Sequence, residues 1–316
     1  MKILANDGIS KNGIAELEKA GFEIITTTVA QEQLANYINE HKIVALLVRS
    51  ATKVRKELID VCPTIKLIGR GGVGMDNIDV AYAKSKNIHV VNTPAASSES
   101  VAELVFAHLF GGVRFLYDAN RNMPLEGDSN FKELKKSYSK GTELRGKTLG
   151  IFGFGNIGQA TAKLAIGAGM NVIYYDPEVK DANLELVFFD GKKVSFHLKN
   201  TDKSDLIKKS DYISLHIPEQ QNYVLGKAEF SQMKKGVGIV NAARGGVIDE
   251  VALVEALENG TVSFAGLDVY ESEPKPEIKI LMHPSISLSP HIGAATLEAQ
   301  ERIGLELASQ IISLLK

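Results

Sequence analysis

Thr148-Leu149-Gly150-Ile151-Phe152-Gly153-Phe154-Gly155-Asn156-Ile157-Gly158 carries a short apolar run into a glycine-rich turn, and a helical stretch from Gln159 to Ala168 follows. A second apolar run, Asn171 to Tyr175, ends on Asp176, 18 residues after Gly158. This order of parts predicts strand, turn, helix, strand. Gly153 permits the tight turn, Gly155 lets a pyrophosphate approach the backbone, and Gly158 permits close packing of helix on strand. The helix start offers N–H donors to phosphates. An acid after the second strand accepts from ribose hydroxyls and repels a 2′-phosphate, so the stretch predicts a dinucleotide site for NAD rather than NADP.

The same alternation extends outward in both directions. Residues 2–5, 22–26, 43–48, 65–69 and 88–92 are short runs rich in Ile, Val and Leu, which read as buried strands. Helical spacing separates them, as in Ile14, Leu17 and Ala20 behind a Ser10 cap, or Leu34 and Ile38 with Tyr37. A second series runs from Thr148 to about Leu288. The fold class predicted is α/β, with two doubly wound parallel-sheet domains. Ser97 to Asn120 reads as one long helix joining the two series. Ile292 to Lys316 reads as an amphipathic helix whose stripe (Ile303, Leu307, Ile311, Leu314) needs an apolar surface, expected on the first unit. Asp190-Gly191, between Leu186–Phe189 and Val194–Leu198, predicts a β-hairpin.

Composition sets the outer limits. The chain has 316 residues, 44% hydrophobic and 23% charged, with 36 Lys+Arg against 38 Asp+Glu. That length suits about two domains, and disorder as the main state is excluded. A net charge of −2 with mixed signs gives no electrostatic footprint for nucleic acid or an anionic membrane. The single cysteine, Cys62, has no partner for an intrachain disulfide or a cysteine-based zinc cluster, so it is expected to be a packing residue in a reduced, cytoplasmic setting. No metal is expected. No apolar run approaches the ~18 residues of a membrane span, so no membrane partner is expected either.

Four further strand exits in the second series are polar. Asp211 to Pro218 contains His216; Gly238 to Gly246 contains Arg244; Phe264 to Pro274 contains Asp268 and Glu273; Ser287 to Gly293 contains His291. Ligands of open parallel sheets bind outside the carboxyl ends of the strands. Arg244, Asp268, Glu273 and His291 are therefore expected around one cleft, where they supply a cation, an orienting acid and a titratable base. By spacing alone His41, His89, His108, His197, His216 and His283 read as structural, and Lys132, Lys135, Lys136 and Lys140 as a solvated surface.

With Val48-Arg49-Ser50-Ala51-Thr52-Lys53-Val54, Gly69 to Asp79, Val91-Asn92-Thr93-Pro94 and Gly141 to Gly150, these stretches resemble the D-isomer-specific 2-hydroxyacid dehydrogenases over nearly the whole chain, and within that family the phosphoglycerate dehydrogenases. The resemblance implies hydride transfer between NAD and a D-2-hydroxy acid, 3-phospho-D-glycerate first, as in serine biosynthesis. It implies that Arg244 of the NxARG motif binds the substrate carboxylate and polarises the carbonyl, and that Glu273 of ExEP pairs with His291 of PHIG, which exchanges the substrate proton. It places Asp268 of LDVxE near the nicotinamide carboxamide. Cofactor contacts are implied at Gly153, Gly155, Asn156, Ile157, Gly158, Asp176, His216, Pro218, Ala242, Asp268 and Gly293. Substrate contacts are implied at Arg49, Ser50, Arg70, Gly72, Val73 and Gly74, with both arginines facing the substrate's phosphate.

The resemblance further implies a flavodoxin-like substrate-binding domain, residues 1–96 plus 291–316, a Rossmann NAD-binding domain, residues 97–290, and a cytoplasmic homodimer. Relatives carrying an added serine-binding module are longer, so a short, serine-insensitive form is expected. The alternatives are a glyoxylate/hydroxypyruvate or D-lactate reductase and, in another class, an NAD-sensing corepressor of the same fold. The 181–200 insertion has no implied role.

Overall fold

The computed structural model describes residues 1–316, which divide into two units, 1–100 with 294–316 and 101–293. The borders expected at 96/97 and 290/291 fall instead at 100/101 and 293/294, and His291 belongs to the second unit rather than the first. The reason is local. Asp268 accepts hydrogen bonds from the N–H groups of Ile292 and Gly293, both at 2.8 Å, and so holds the turn that carries His291.

In the first unit, strands β1 (Lys2–Ala5), β2 (Glu23–Ile25), β3 (Ile43–Val48), β4 (Leu67–Arg70) and β5 (His89–Asn92) form a sheet in the order β2-β1-β3-β4-β5. Every pairing is parallel. This is the flavodoxin-like order. Helices α1 (Lys11–Lys19), α2 (Gln31–His41), α3 (Lys56–Val61) and α4 (Val80–Ser85) connect the strands. Successive strand side chains point to opposite faces, so Leu4, Leu46 and Ile68 join Leu34, Ile38, Leu58 and Cys62 in one core, while Ile3, Leu47 and Leu67 join Leu17 in another. Cys62 is fully buried, as a packing residue is, and burial raises its thiol above the usual range.

The chain continues through α5 (Ser98–Val113), α6 (Leu116–Glu126) and α7 (Phe131–Ser137). The single helix expected over 97–120 is thus two helices bent by 58°, with Phe115 between them in a left-handed conformation, φ 55°. A non-glycine residue there costs energy and leaves no signature in the apolar spacing.

The second sheet contains β6 (Thr148–Phe152), β7 (Asn171–Tyr175), β10 (Tyr212–Leu215), β11 (Val237–Asn241), β12 (Val262–Leu267) and β13 (Ile286–Leu288), all parallel, in the order β13-β12-β11-β10-β6-β7. Between β7 and β10 in sequence, β8 (Asp181–Val187) and β9 (Lys193–Lys199) form the separate antiparallel hairpin expected at Asp190-Gly191. Helices α8 (Asn156–Gly167), α9 (Lys203–Lys209), α10 (Lys227–Phe230), α11 (Glu250–Glu258) and α12 (Ile278–Leu281) complete the unit. One face packs Phe152, Ile213, Ile239 and Leu267 against Leu206, Leu253 and Ile280; the other packs Ile151, Val240 and Phe264 against Val105, Leu109, Ala162 and Ala165. The sheet is doubly wound, and its strand order reverses beside β6. That reversal leaves a crevice at the carboxyl ends of β6 and β10.

The last helix, α13 (Leu297–Leu315), starts from a Thr296 cap and lies in the first unit, where Ile303, Leu307, Ala308 and Ile311 cover the Ile3, Leu47 and Leu67 face.

Candidate active site

The turn after β6 is set by its glycines. Gly153 has φ 84°, and a side chain there would collide with the carbonyl of His216 on the neighbouring strand exit. A side chain on Gly158 would collide with the carbonyl of Gly153. At Gly155, by contrast, an added Cβ meets no atom within 4 Å, and α8 begins there with no side-chain cap. Two glycines close the turn and the third leaves an open cradle at a helix start, which fits a dinucleotide's pyrophosphate.

Asp176, at the end of β7, faces that turn. Its Oδ2 accepts from the N–H of Phe154 at 2.6 Å, and its Oδ1 from the N–H groups of Glu178 and Val179 at 2.8 and 3.1 Å. Burial works to raise its carboxyl, but these three bonds, together with the charge of Lys180, outweigh it and hold the group below the usual carboxylate range. Asn200, which sequence reasoning did not single out, brackets the same residue: its Oδ1 accepts from the Asp176 N–H at 2.9 Å and its Nδ2 donates to the Asp176 carbonyl at 2.7 Å. On the other side of the crevice, His216 Nε2 lies 2.9 Å from Ser214 Oγ, and Nδ1 is buried without a partner. Burial pushes this imidazole down to about 3, so it stays neutral. A buried nitrogen without a partner beside an open glycine cradle again fits a polar ligand. Pro218 follows on the surface and Ala242 is half-buried at the exit of β11.

Three adjacent strand exits carry the reactive groups. After β11, the Asn241 side chain spans its own turn, accepting from the Ala243 N–H at 3.1 Å and donating to the Arg244 carbonyl at 2.8 Å. Arg244 Nη1 donates to the Ala243 carbonyl at 2.6 Å, and Gly245 lies so close to the Tyr270 carbonyl that no side chain fits. After β12, Glu273 Oε1 accepts from the Tyr270 N–H at 3.1 Å, while Oε2 lies 2.9 Å from His291 Nδ1. A carboxylate only accepts, so Nδ1 carries the proton and Nε2 of the neutral ring is left as the base. After β13, His291 itself sits at φ 55°. The arrangement can hold an anion at Arg244 and take or give a proton at His291.

Asp268 is 1% exposed and does not face open solvent. Besides the two turn N–H groups, it accepts from Ser289 Oγ at 2.6 Å. His108, on α5, lies 3.0 Å from Ser289 Oγ through Nε2 and 2.9 Å from Ser287 Oγ through Nδ1. Sequence reasoning left His108 as structural. Its signal was a polar residue within the apolar stripe of Val101, Val105 and Leu109, together with serines at alternate positions, 287 and 289, at a strand end.

The remaining predicted residues lie in the first unit. Asp7 accepts from the N–H groups of Arg49 and Thr52 at 2.6 and 3.2 Å, and Asn77 Nδ2 donates to the carbonyls of Arg49 and Thr52, both at 2.6 Å. These bonds shape the loop that carries Arg49 and the exposed Ser50. Burial lowers the Arg49 guanidinium, and Asp7 opposes the change. Val48 at the end of β3 pairs with Arg70 at the end of β4, so both arginines lie at the carboxyl ends of neighbouring strands. Gly72 is buried beneath the Arg70 side chain, and the Val73 carbonyl, next to Gly74, accepts from Asn92 Nδ2 at 2.7 Å.

Residues 106–293 match the model of the D-isomer specific 2-hydroxyacid dehydrogenase NAD binding domain. The chain belongs to this family. It is a D-2-hydroxyacid dehydrogenase, and its cofactor is NAD. It is 41% identical to the hydroxypyruvate reductase of Thermotoga maritima, over 98% of this chain and 97% of that one. It is 39% identical to the D-3-phosphoglycerate dehydrogenase of Methanocaldococcus jannaschii, where the whole of this dehydrogenase spans only 58% of the relative. The crystal structure of a glyoxylate reductase from Paecilomyes thermophila superposes with a TM-score of 0.83 at 30% identity, covering 100% of this chain and 95% of that one.

Proposed function

We propose that this dehydrogenase oxidises a phosphorylated D-2-hydroxy acid, 3-phospho-D-glycerate, to the corresponding 2-keto acid and catalyses the reverse reduction. The observation that carries the reading is the placement of Arg49 and Arg70 at the ends of neighbouring strands, each beside a loop braced by its own hydrogen bonds. Two guanidinium groups suit the two or more charged oxygens of a phosphate. Arg244 binds the substrate carboxylate. His291 takes the hydroxyl proton through Nε2 while Glu273 holds Nδ1–H, and in reduction the proton returns by the same path. Bound NAD supplies the hydride acceptor in oxidation and, once reduced, the donor in the reverse direction. Charge balances: the alcohol loses one hydride and one proton and becomes the carbonyl.

The second reading, reduction of unphosphorylated hydroxypyruvate, is favoured by similarity to the Thermotoga maritima reductase over almost the full length of both chains. One assay separates the two. With NADH, kcat/KM is expected to be at least tenfold higher for 3-phosphohydroxypyruvate than for hydroxypyruvate, and Arg49→Gln or Arg70→Gln should raise KM for the phosphorylated acid alone. Equal kcat/KM for both acids in the wild type, or equal losses on both in the variants, would assign the enzyme to the second reading.

A further inference from the structure

His108 lies outside the residues to which the family motifs give a role, yet its two nitrogens and two serine hydroxyls form one continuous chain of hydrogen bonds to Asp268. The direction of each bond follows from its acceptor. Asp268 only accepts, so the single Ser289 hydroxyl proton is committed to Oδ1 over 2.6 Å. Ser289 Oγ must then accept from His108, and Nε2 carries a hydrogen (3.0 Å). His108 is 5% exposed, and burial, against an opposing pull from Asp268, lowers its affinity for a second proton. Nδ1 of the neutral ring is therefore an acceptor, and the Ser287 hydroxyl donates to it over 2.9 Å. Every bond runs one way, from Ser287 through His108 and Ser289 to Asp268.

The far end of this chain is the turn that carries the proposed base. Asp268 Oδ1 also accepts from the Ile292 N–H and Oδ2 from the Gly293 N–H, both at 2.8 Å. His291, the preceding residue, is held at φ 55°, a backbone conformation that a non-glycine residue keeps only when its surroundings impose it. Its own side chain is exposed enough to reach a substrate, and Glu273 fixes only the ring. Backbone restraint comes from Asp268, and the orientation of the Asp268 carboxylate comes from the serine and histidine behind it.

We propose that His108 is a positioning residue for His291: through Ser289 it orients the Asp268 carboxylate so that both N–H groups of the 292–293 turn are captured and the imidazole is held in register for proton transfer. The inference rests on the reading of His291 as the base. His108→Leu removes both hydrogen bonds at similar volume, whereas His108→Gln keeps a donor where Nε2 stands.

The expected result for His108→Leu is at least a tenfold fall in kcat and at least tenfold faster amide hydrogen exchange at Ile292 and Gly293 in the cofactor-free protein. His108→Gln should recover most of the kcat and most of the exchange protection. Full kcat in His108→Leu overturns the proposal, and so does an equal loss in both variants that tracks their melting temperatures. If the leucine variant does not fold, the glutamine variant is compared with Ser289→Ala, which removes the link itself; equal kcat and equal exchange in those two also overturn it. His291→Ala is measured in parallel. Full turnover in that variant removes the underlying reading of the base, while loss of turnover there with unchanged His108→Leu removes only the role of His108.

Discussion

Asp176 ties down the glycine turn, because three backbone N–H groups converge on its two oxygens. Asp176→Ala should therefore do two things at once. Stability should fall by about 1–3 kcal/mol, the usual cost of removing a charged acceptor from backbone donors, and the preference for NADH over NADPH should drop at least tenfold as the 2′-phosphate loses its repelling neighbour. Thermal melts and cofactor titrations on the same sample check both. The carboxyl's folded value is depressed, so its contribution is present above the unfolded value and is lost as pH falls through the lower folded one; at pH 5 the cofactor preference should match that at pH 7. The candidate residues His291, Glu273 and Arg244 were legible from the sequence because each lies within a short motif at a strand exit. Asn200 and His108 were not singled out, since a side chain that braces another residue, through its backbone for Asn200 and through serine hydroxyls for His108, has no spacing rule of its own, and its partner is found only when the strands are laid side by side.

Elements differ in how much of their shape their own residues dictate. Strands and most helices followed from periodicity, but the break at Phe115 did not, because apolar spacing runs on through a bend made by one left-handed residue. The hairpin was readable from Asp190-Gly191, yet not where its side chains point: Leu184 is buried midway along β8, whereas Val187, Phe188 and Phe189 are 62%, 47% and 104% exposed at its tip. Exposed apolar groups of this kind contribute little to folding. Phe188→Ser with Phe189→Ser should leave kcat within about twofold and stability within about 0.5 kcal/mol, and light scattering should show less self-association; a large stability loss would mean that the tip is packed in solution.

A second element-level prediction concerns the start of α11. Glu250 is 7% exposed, its Oε1 accepts from the Glu271 N–H at 2.9 Å, and its Oε2 has no partner. Burial raises its carboxyl, with the Glu271 N–H pulling the other way. A raised folded value favours folding at low pH and costs stability as pH rises through it. Glu250→Gln, which keeps the acceptor, should melt about 1–3 °C above wild type at pH 8, with the difference vanishing near pH 4.

At the scale of the molecule, each unit has its own sheet with a core on either face, while the residues proposed to hold the cofactor, from Gly153 to Gly293, all belong to one of them. A ligand at 100 times its Kd stabilises what it binds by about 2.7 kcal/mol. Saturating NADH should therefore slow amide exchange most in 148–293, around the ends of β6, β7 and β10 to β13, and least in β1 and β2; equal protection throughout would mean that the two units open as a single cooperative block. The first unit is also built from two distant stretches of chain. Ile3, Leu47 and Leu67 wait for Ile303, Leu307 and Ile311 of α13, so on the ribosome the order of synthesis is reversed in the order of completion. Most of residues 101–293 are made, and can begin to fold, before α13 is added, while the earlier-made strands still present one oily face to solvent. The nascent N-terminal segment, residues 1–100, is thus the part most in need of a chaperone, and codon changes that slow translation just before residue 297 should lower the soluble yield without altering the finished enzyme.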